Sequence, residues 1–267
     1  MPKSTAALIT GATSGIGLEL AKIFAKEGHN LVLVARSEHA LKEIKKELEE
    51  KNGIDVKIIV QDLKYYNAPI AIYDAVQNDD MHINILVNNA GFGLYGEFKD
   101  TDLETELEMI QVNVTALTHL TKMFLPDMIK ANSGRIMNIS SVAGFFPGPL
   151  FSVYFATKAY VLSFSESLSE ELRGTNVKVT AVCPGPTKSA FAQNAHAQNT
   201  RVFHDNLLDA KDVARLAYDA MVNGKQVLLI GWRNKFTVFL SRILPRNFFL
   251  HRVRIAHEQK VHHKSKK

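Results

Sequence analysis

The sequence predicts a doubly wound parallel α/β sheet of about seven strands with helices on both faces, in three α/β/α layers. Three observations carry that prediction. Short runs dense in Val, Ile and Leu recur along the chain, amphipathic stretches separate them, and a glycine-rich turn closes the first run. The runs cover residues 6–10, 31–35, 56–61, 83–87, 135–139, 177–182 and 227–230. Strands that are apolar throughout, rather than alternating, belong to sheets covered on both faces. Helical patterns at 18–27, 38–51, 163–172 and 212–222 supply the cover, and right-handed crossovers distribute them over the two faces.

The 267 residues show no internal repeat and no low-complexity linker, so 1–231 reads as one domain and 232–267 as a C-terminal extension. Hydrophobic residues make up 46% and charged residues 22%, which excludes a disordered chain, a collagen-like chain and a disulfide-held mini-protein. A single cysteine, Cys183, forbids an intramolecular disulfide and fits a reducing compartment. Its strand-end position makes it a small buried hydrophobe rather than a nucleophile. Residues 1–5 carry no signal-peptide pattern, and the cytoplasm is the expected location. The net charge of +5 is uneven. From Lys225 onward eleven Lys/Arg face a single acid, Glu258, whereas in the preceding residues acids exceed bases by five. An acidic body argues against nucleic acid as a partner. No His, Cys and carboxylate cluster has metal-ligand spacing, and no metal is expected.

The first strand runs into Thr10-Gly11-Ala12-Thr13-Ser14-Gly15-Ile16-Gly17, ahead of a helix. The three glycines serve different ends. Gly11 turns the strand sharply, Gly15 lets backbone approach a pyrophosphate, and Gly17 lets the helix pack closely on the sheet. The helix N-terminus adds free N–H groups and a positive dipole end. Placement between the first strand and a helix makes this a Rossmann-type dinucleotide loop. Its spacing, G-x-x-x-G-x-G, resembles that of the short-chain dehydrogenase/reductase family in its single-domain branch, over roughly residues 5–231. The resemblance implies that Thr13, Ser14 and Ile16 join the glycines in the cofactor cradle.

At the end of the second strand an acid would accept hydrogen bonds from the adenosine 2′-hydroxyl and select NAD. Here stand Val34-Ala35-Arg36-Ser37, so Arg36 can pair with a 2′-phosphate, with Ser37 as a further donor. In the family this pattern implies NADP(H). Ser14 departs from another NADP-preferring subgroup, which carries a basic residue in the glycine loop. The resemblance also assigns Asp62 and Leu63 to the adenine, Asn89 to the sheet, and Ala90 and Gly91 to the cofactor wall. At Pro184-Gly185-Pro186-Thr187-Lys188-Ser189 it implies that Pro184 and Gly185 turn the chain around the nicotinamide while Thr187 and Ser189 hold the carboxamide.

Tyr154 and Lys158 are four residues apart, which on a helix puts them on the same face, one turn apart. A phenol ionises near ~10, and a neighbouring ammonium lowers that value. The cation of an oxidised nicotinamide adds to the effect, so Tyr154 is expected to handle a proton near neutral pH. Ser141 lies thirteen residues before Tyr154, the separation this family uses, and a hydroxyl there can orient the substrate oxygen and stabilise developing charge. Ser140 is its neighbour, and the spacing selects Ser141. Asn113, in Gln111-Val112-Asn113-Val114, matches the family's helix asparagine. That match implies a water-linked relay to Lys158, which also binds the cofactor ribose.

Loops 92–98, 142–151 and 191–203 are expected to line the substrate pocket. They bring Phe92, Leu94, Tyr95, Phe145, Phe146, Phe151, Phe191 and Phe203, a wall suited to an apolar or aromatic carbonyl. His196 and His204 read as surface residues of the last loop, and Lys188 and Arg201 as solvated charges. In the tail, Phe236, Phe239, Leu240, Ile243 and Leu244 mark one helical face, Pro245 breaks the helix, and Phe248-Phe249-Leu250 opens a second apolar patch. Arg233, Lys235, Arg242, Arg246, Arg252 and Arg254 punctuate both. No uncharged apolar run of ~18 residues is present to span a bilayer. The face is expected to pack on the acidic body or a partner subunit, with an anionic membrane surface as the alternative. Residues 262–267 read as a disordered basic end.

The expectation is an NADP(H)-dependent carbonyl reductase or alcohol dehydrogenase acting on a lipophilic ketone, aldehyde or 3-ketoacyl substrate, assembled by family habit as a homodimer or homotetramer. Two rivals stand beside it: a non-catalytic NADP-binding sensor or scaffold, and a peripheral membrane adaptor using the tail. The complete set Asn113, Ser141, Tyr154 and Lys158 speaks against the sensor.

Overall fold

A computed structural model describes residues 4–79, 81–203 and 207–258. His204 and residues 262–267 therefore lie outside the described residues. The apolar runs form β1 (Ser4–Thr10), β2 (Asn30–Ala35), β3 (Val56–Val60), β4 (Met81–Asn88), β5 (Gly134–Ile139), β6 (Val177–Cys183) and β7 (Val227–Leu229). They pair in parallel in the order β3-β2-β1-β4-β5-β6-β7. Adjacent strand residues face opposite sides of a sheet, and both sides are apolar here. Ile9 joins one core with Leu20, Phe24, Leu33 and Val213. Leu8 joins the other with Val32, Ile72, Leu120 and Phe124.

Helices α1 (Gly15–Lys26), α2 (Glu38–Asn52), α3 (Ala68–Gln77), α4 (Leu103–Ile110), α5 (Leu117–Lys130), α6 (Ser152–Glu171), α7 (Phe191–Asn194) and α8 (Ala210–Val222) connect the strands. Local signals set their ends. The Ser37 hydroxyl caps α2 by accepting from the Ala40 amide at 3.3 Å, and Gly53, at φ +65°, ends that helix in the left-handed region. Between α4 and α5 the backbone widens into a π-helical turn, Gln111–Ala116, a distortion found mostly at functional sites. The order of strands reverses at β1, between β2 and β4. Ligands of such sheets bind in the crevice beyond the strand C-termini at that reversal.

The tail forms α9 (Trp232–Ile243) and α10 (Arg246–His257), with Pro245 between them. Of the α9 face expected to pack on the body or on a partner subunit, Phe236, Phe239 and Ile243 are exposed on this chain and Leu240 and Leu244 are half-buried, while Val238, on the other side, is buried. The inward contact is made by Asn234, which stands against Gly185, and by α10, whose Phe249, Val253 and His257 are buried. No helix among the described residues is long and apolar enough to cross a membrane.

Candidate active site

The turn after β1 is shaped by what cannot fit there. Gly11 has φ +65° and a side chain would meet Ala90 Cα at 3.0 Å. Gly15 has φ +55° and faces Ser189. A side chain on Gly17 would collide with the Gly11 carbonyl and the Asn89 amide. Asn89 donates to the carbonyls of Thr10 and Gly11 at 2.9 and 3.1 Å, so it ties β4 to this turn. Thr10, which sequence reasoning passed over, completes the clamp: its hydroxyl accepts from the amides of Asn89 and Ala90, both at 3.0 Å. Ser14 occupies the N-cap of α1 with its side chain free of any cap bond, and the first helical turn carries no acid. Left-handed glycines, closely approached backbone and an uncommitted hydroxyl at a helix N-terminus fit the pyrophosphate of a dinucleotide.

Arg36 is exposed at the end of β2 and makes no ion pair among the described residues. Ser37 uses a lone pair on Ala40 and keeps its O–H to donate. Asp62 accepts from the Lys64 amide at 3.1 Å, the bond of a turn residue, and Leu63 is buried beside it. Across the crevice, Pro184 and Gly185 are buried. Thr187 donates to the Gly185 carbonyl at 2.9 Å and is bridged to Leu208, and Ser189 accepts from the Phe191 amide at 3.3 Å.

Ser141, Tyr154 and Lys158 converge beyond β5. Ser141 caps the turn Val142–Phe145, accepting from the Ala143 amide at 3.1 Å. Ser140 is spent elsewhere, on the Lys158 carbonyl at 2.8 Å. The Lys158 ammonium donates to the Ile139 carbonyl at 2.8 Å and lies 5.8 Å from the centre of the Tyr154 ring. A side chain on Gly91 would reach within 3.4 Å of that ammonium and 2.9 Å of Asn113 Oδ1, so this glycine keeps a cradle open beside the lysine. Asn113 uses both of its N–H donors and one lone pair of Oδ1. It accepts from the Phe92 amide at 3.1 Å and donates to the Phe92 carbonyl at 2.9 Å and to the Thr157 hydroxyl at 3.1 Å. Thr157, whose place in the sequence carries no signal of this role, thereby links the π-helical turn to the helix that carries Tyr154 and Lys158.

The electrostatics differ from the sequence expectation. Burial pushes the Tyr154 hydroxyl up to about 12, against a hydrogen bond with Ser141 that favours the phenolate. Burial likewise pushes Lys158 down to about 8. The loss of water around the phenol outweighs the Ser141 hydrogen bond. The Cys183 thiol, also buried, is pushed up to about 12, the behaviour of an inert core residue.

Tyr95, Phe146, Phe151, Phe191 and Phe203 cluster around Tyr154 as expected for the pocket wall. Phe92 and Phe145 do not: Phe92 joins the core under α5, and Phe145 packs with Leu162 and Cys183. Leu94 is half-buried, and His196, Lys188 and Arg201 are exposed. A further member, with no signal in the sequence, is His257 of α10. Its Nδ1 lies 2.8 Å from the Pro149 carbonyl, and its ring meets Phe151 and Phe155 at 5.3 and 5.2 Å. Arg254 pairs with Glu97 at 3.0 Å, so α10 straps loop 92–98 to loop 142–151.

Fold and site together define a dinucleotide-binding oxidoreductase scaffold with a Ser, Tyr and Lys constellation. Residues 5–200 match the short chain dehydrogenase family model, and the chain belongs to that family. Among relatives, it is 34% identical to sulfoacetaldehyde reductase 2 of Chromohalobacter salexigens, covering 87% of this chain and 96% of that one. It is 36% identical to the very-long-chain 3-oxoacyl-CoA reductase of Rattus norvegicus, covering 67% of this chain and 58% of the rat protein. Among solved structures, a short-chain dehydrogenase from Sphingobium yanoikuyae in complex with NADPH aligns with TM-score 0.80 and 31% identity over 91% of this chain and 97% of that one. A short-chain dehydrogenase/reductase from Burkholderia phymatum in complex with NAD aligns with TM-score 0.81 and 28% identity over 90% and 94%.

Proposed function

We propose that this chain is an NADP(H)-dependent reductase of apolar carbonyl compounds in which Tyr154 moves the proton. The observation that carries the reading is the convergence of Ser141, Tyr154 and Lys158 beside Gly91, under a roof of aromatic loops. When bound, the cofactor supplies or accepts a hydride at the substrate carbon. Gly11, Thr13, Ser14, Gly15, Ile16 and Gly17 would hold its pyrophosphate, and Asp62, Leu63, Ala90 and Gly91 would line its adenosine and ribose path. Pro184, Gly185, Thr187 and Ser189 would hold the nicotinamide side. Arg36 and Ser37 would read a 2′-phosphate; an unpaired guanidinium where an NAD enzyme wants an acid supports NADP(H).

A Tyr154 hydroxyl pushed up to about 12 is protonated at neutral pH, the state needed to donate to a substrate oxygen. Ser141 hydrogen-bonds the same oxygen and orients it. Lys158, at about 8, is charged at neutral pH, and its cation lowers the cost of the phenolate left after donation. Asn113 acts as a positioning residue, holding the Phe92 backbone and Thr157. The aromatic wall supports an apolar substrate, and the very-long-chain name of the rat relative agrees with that. Leu103, Leu107 and Ile110, exposed along one side of α4, support a homo-oligomer.

The test is NADPH oxidation against ketones, aldehydes, ketosteroids and 3-ketoacyl thioesters, with NADH in parallel and Tyr154→Phe as control. Turnover with NADPH is expected to fall by about 10²–10⁴-fold in the variant, with NADPH binding kept. Tyr154→Phe at wild-type rate would remove Tyr154 from the chemistry, and a preference for NADH would overturn the role of Arg36.

A further inference from the structure

A helix advances 100° per residue, so positions i, i+4, i+7 and i+11 fall in one narrow stripe. In α9 those positions are Trp232, Phe236, Phe239 and Ile243. The opposite side holds Asn234 and Val238, which meet the body. The stripe therefore faces outward. Its members are 74%, 55%, 57% and 62% exposed, and Phe248, where α10 begins, is 55% exposed. At 1.5 Å per residue the stripe is about 17 Å long. Scattered exposed apolar residues are ordinary, whereas an aligned row of large ones marks an interaction surface.

The charge around the stripe names its partner. From Gly231 through Arg254 the chain has six Arg/Lys and no acid. Arg233 flanks one side, its guanidinium 5.4 Å from the Trp232 ring; Lys235 and Arg242 flank the other. A two-fold contact with a second copy would set these cations against each other. A convex row of one Trp, two Phe and an Ile between cationic margins is the pattern of a helix lying in a bilayer interface. Its rings enter the headgroup boundary while Arg and Lys meet lipid phosphates.

We propose that α9 docks this chain on an anionic lipid surface through Trp232, Phe236, Phe239 and Ile243, with Arg233, Lys235 and Arg242 as the cationic margin. Since α9 packs on the turn Val142–Phe145 and against Gly185, docking holds the candidate active site next to the bilayer. The proposal stands whether or not the activity above is right.

The chain carries its own probe, because Trp232 is its single tryptophan. The full-length protein is titrated with phosphatidylcholine vesicles with and without about 30% phosphatidylserine. With the anionic vesicles, Trp232 emission is expected to shift to the blue, brominated acyl chains to quench it, and added salt to weaken binding. The Phe236→Glu/Phe239→Glu variant is expected to lose at least about tenfold in vesicle affinity while its thermal melt and its turnover of a water-soluble ketone stay unchanged. Unmoved emission at saturating anionic lipid, equal binding to neutral vesicles, or undiminished binding by the variant would each overturn the proposal. So would an emission shift that tracks protein concentration, or that needs an added acidic protein, without lipid, since either assigns the stripe to a protein partner.

Discussion

Lys158→Met separates the cost of the buried ammonium from its function. Burial moves Lys158 from 10.5 to about 8, and one unit corresponds to ~1.4 kcal/mol, so the folded state carries this charge at a cost of roughly 3 kcal/mol at neutral pH. The direction in pH follows from proton counts. Below pH 8 both states hold the proton; between about 8 and 10.5 the unfolded chain holds one that the folded chain lacks, so stability rises with pH across that window. Methionine removes the charge but also the donor to the Ile139 carbonyl, and an unsatisfied buried carbonyl costs about 1–3 kcal/mol. The variant is thus expected to match or exceed the parent by up to about 2 kcal/mol at pH 7. That difference should move against the variant by about 3 kcal/mol as pH rises through the window. Tyr154 and Cys183, both pushed up to about 12, titrate in both proteins and cancel. Urea melts of the two proteins at steps from neutral to alkaline pH measure the difference directly. Parallel stability profiles would show that Lys158 does not titrate early, and the reasoning about its charge would fail. Turnover is expected to be lost in the variant at every pH.

Arg36→Asp puts an acid where a ribose hydroxyl would be read and removes the proposed phosphate partner. The loss of a charge-assisted hydrogen bond, about 1.5–3 kcal/mol, should raise the KM for NADPH by about 10- to 100-fold and improve NADH; an unchanged ratio of the two would refute the assignment. His257→Ala removes the contact with the Pro149 carbonyl and the ring packed on Phe151 and Phe155. It should speed amide exchange in α10 and raise KM for bulky ketones while the KM for NADPH holds. Burial lowers the His257 pKa from 6.5, so the unfolded strap binds the extra proton first as pH falls below that value, and acidification should loosen α10 in the parent but not in the variant. Exchange in α10 that ignores pH in both would remove His257 as the fastening.

The sheet was legible because its signals are local. Seven apolar runs, a glycine turn and a Tyr/Lys pair four residues apart each fit in a window shorter than one helix. What escaped depends on partners far apart in the chain. Asn113 reaches Phe92 and Thr157 across 21 and 44 residues. The Tyr154 pKa is set by burial, which loops 93–95 and 191–203 contribute only once folded. Phe92 and Phe145 sit in loops that border Tyr154, yet the direction in which a loop residue points is a property of the backbone turn, and both turn into other cores.

The tail shows the limit of periodicity most plainly. A hydrophobic stripe marks the side of a helix that favours an apolar neighbour, but the body is only one such neighbour. In α10 the body wins, since Phe249 and His257 meet the rings of Phe146, Phe151 and Phe155. In α9 the orientation is fixed by a polar residue. Asn234 fits against Gly185, where any side chain would collide with it, and donates back to the Ile230 carbonyl at 2.7 Å. That seating turns Val238 inward and the Trp232 stripe outward. One glycine, assigned to the nicotinamide by the family pattern, therefore also decides which face of the tail meets the surroundings, and it couples the exposed stripe to the turn that presents Ser141.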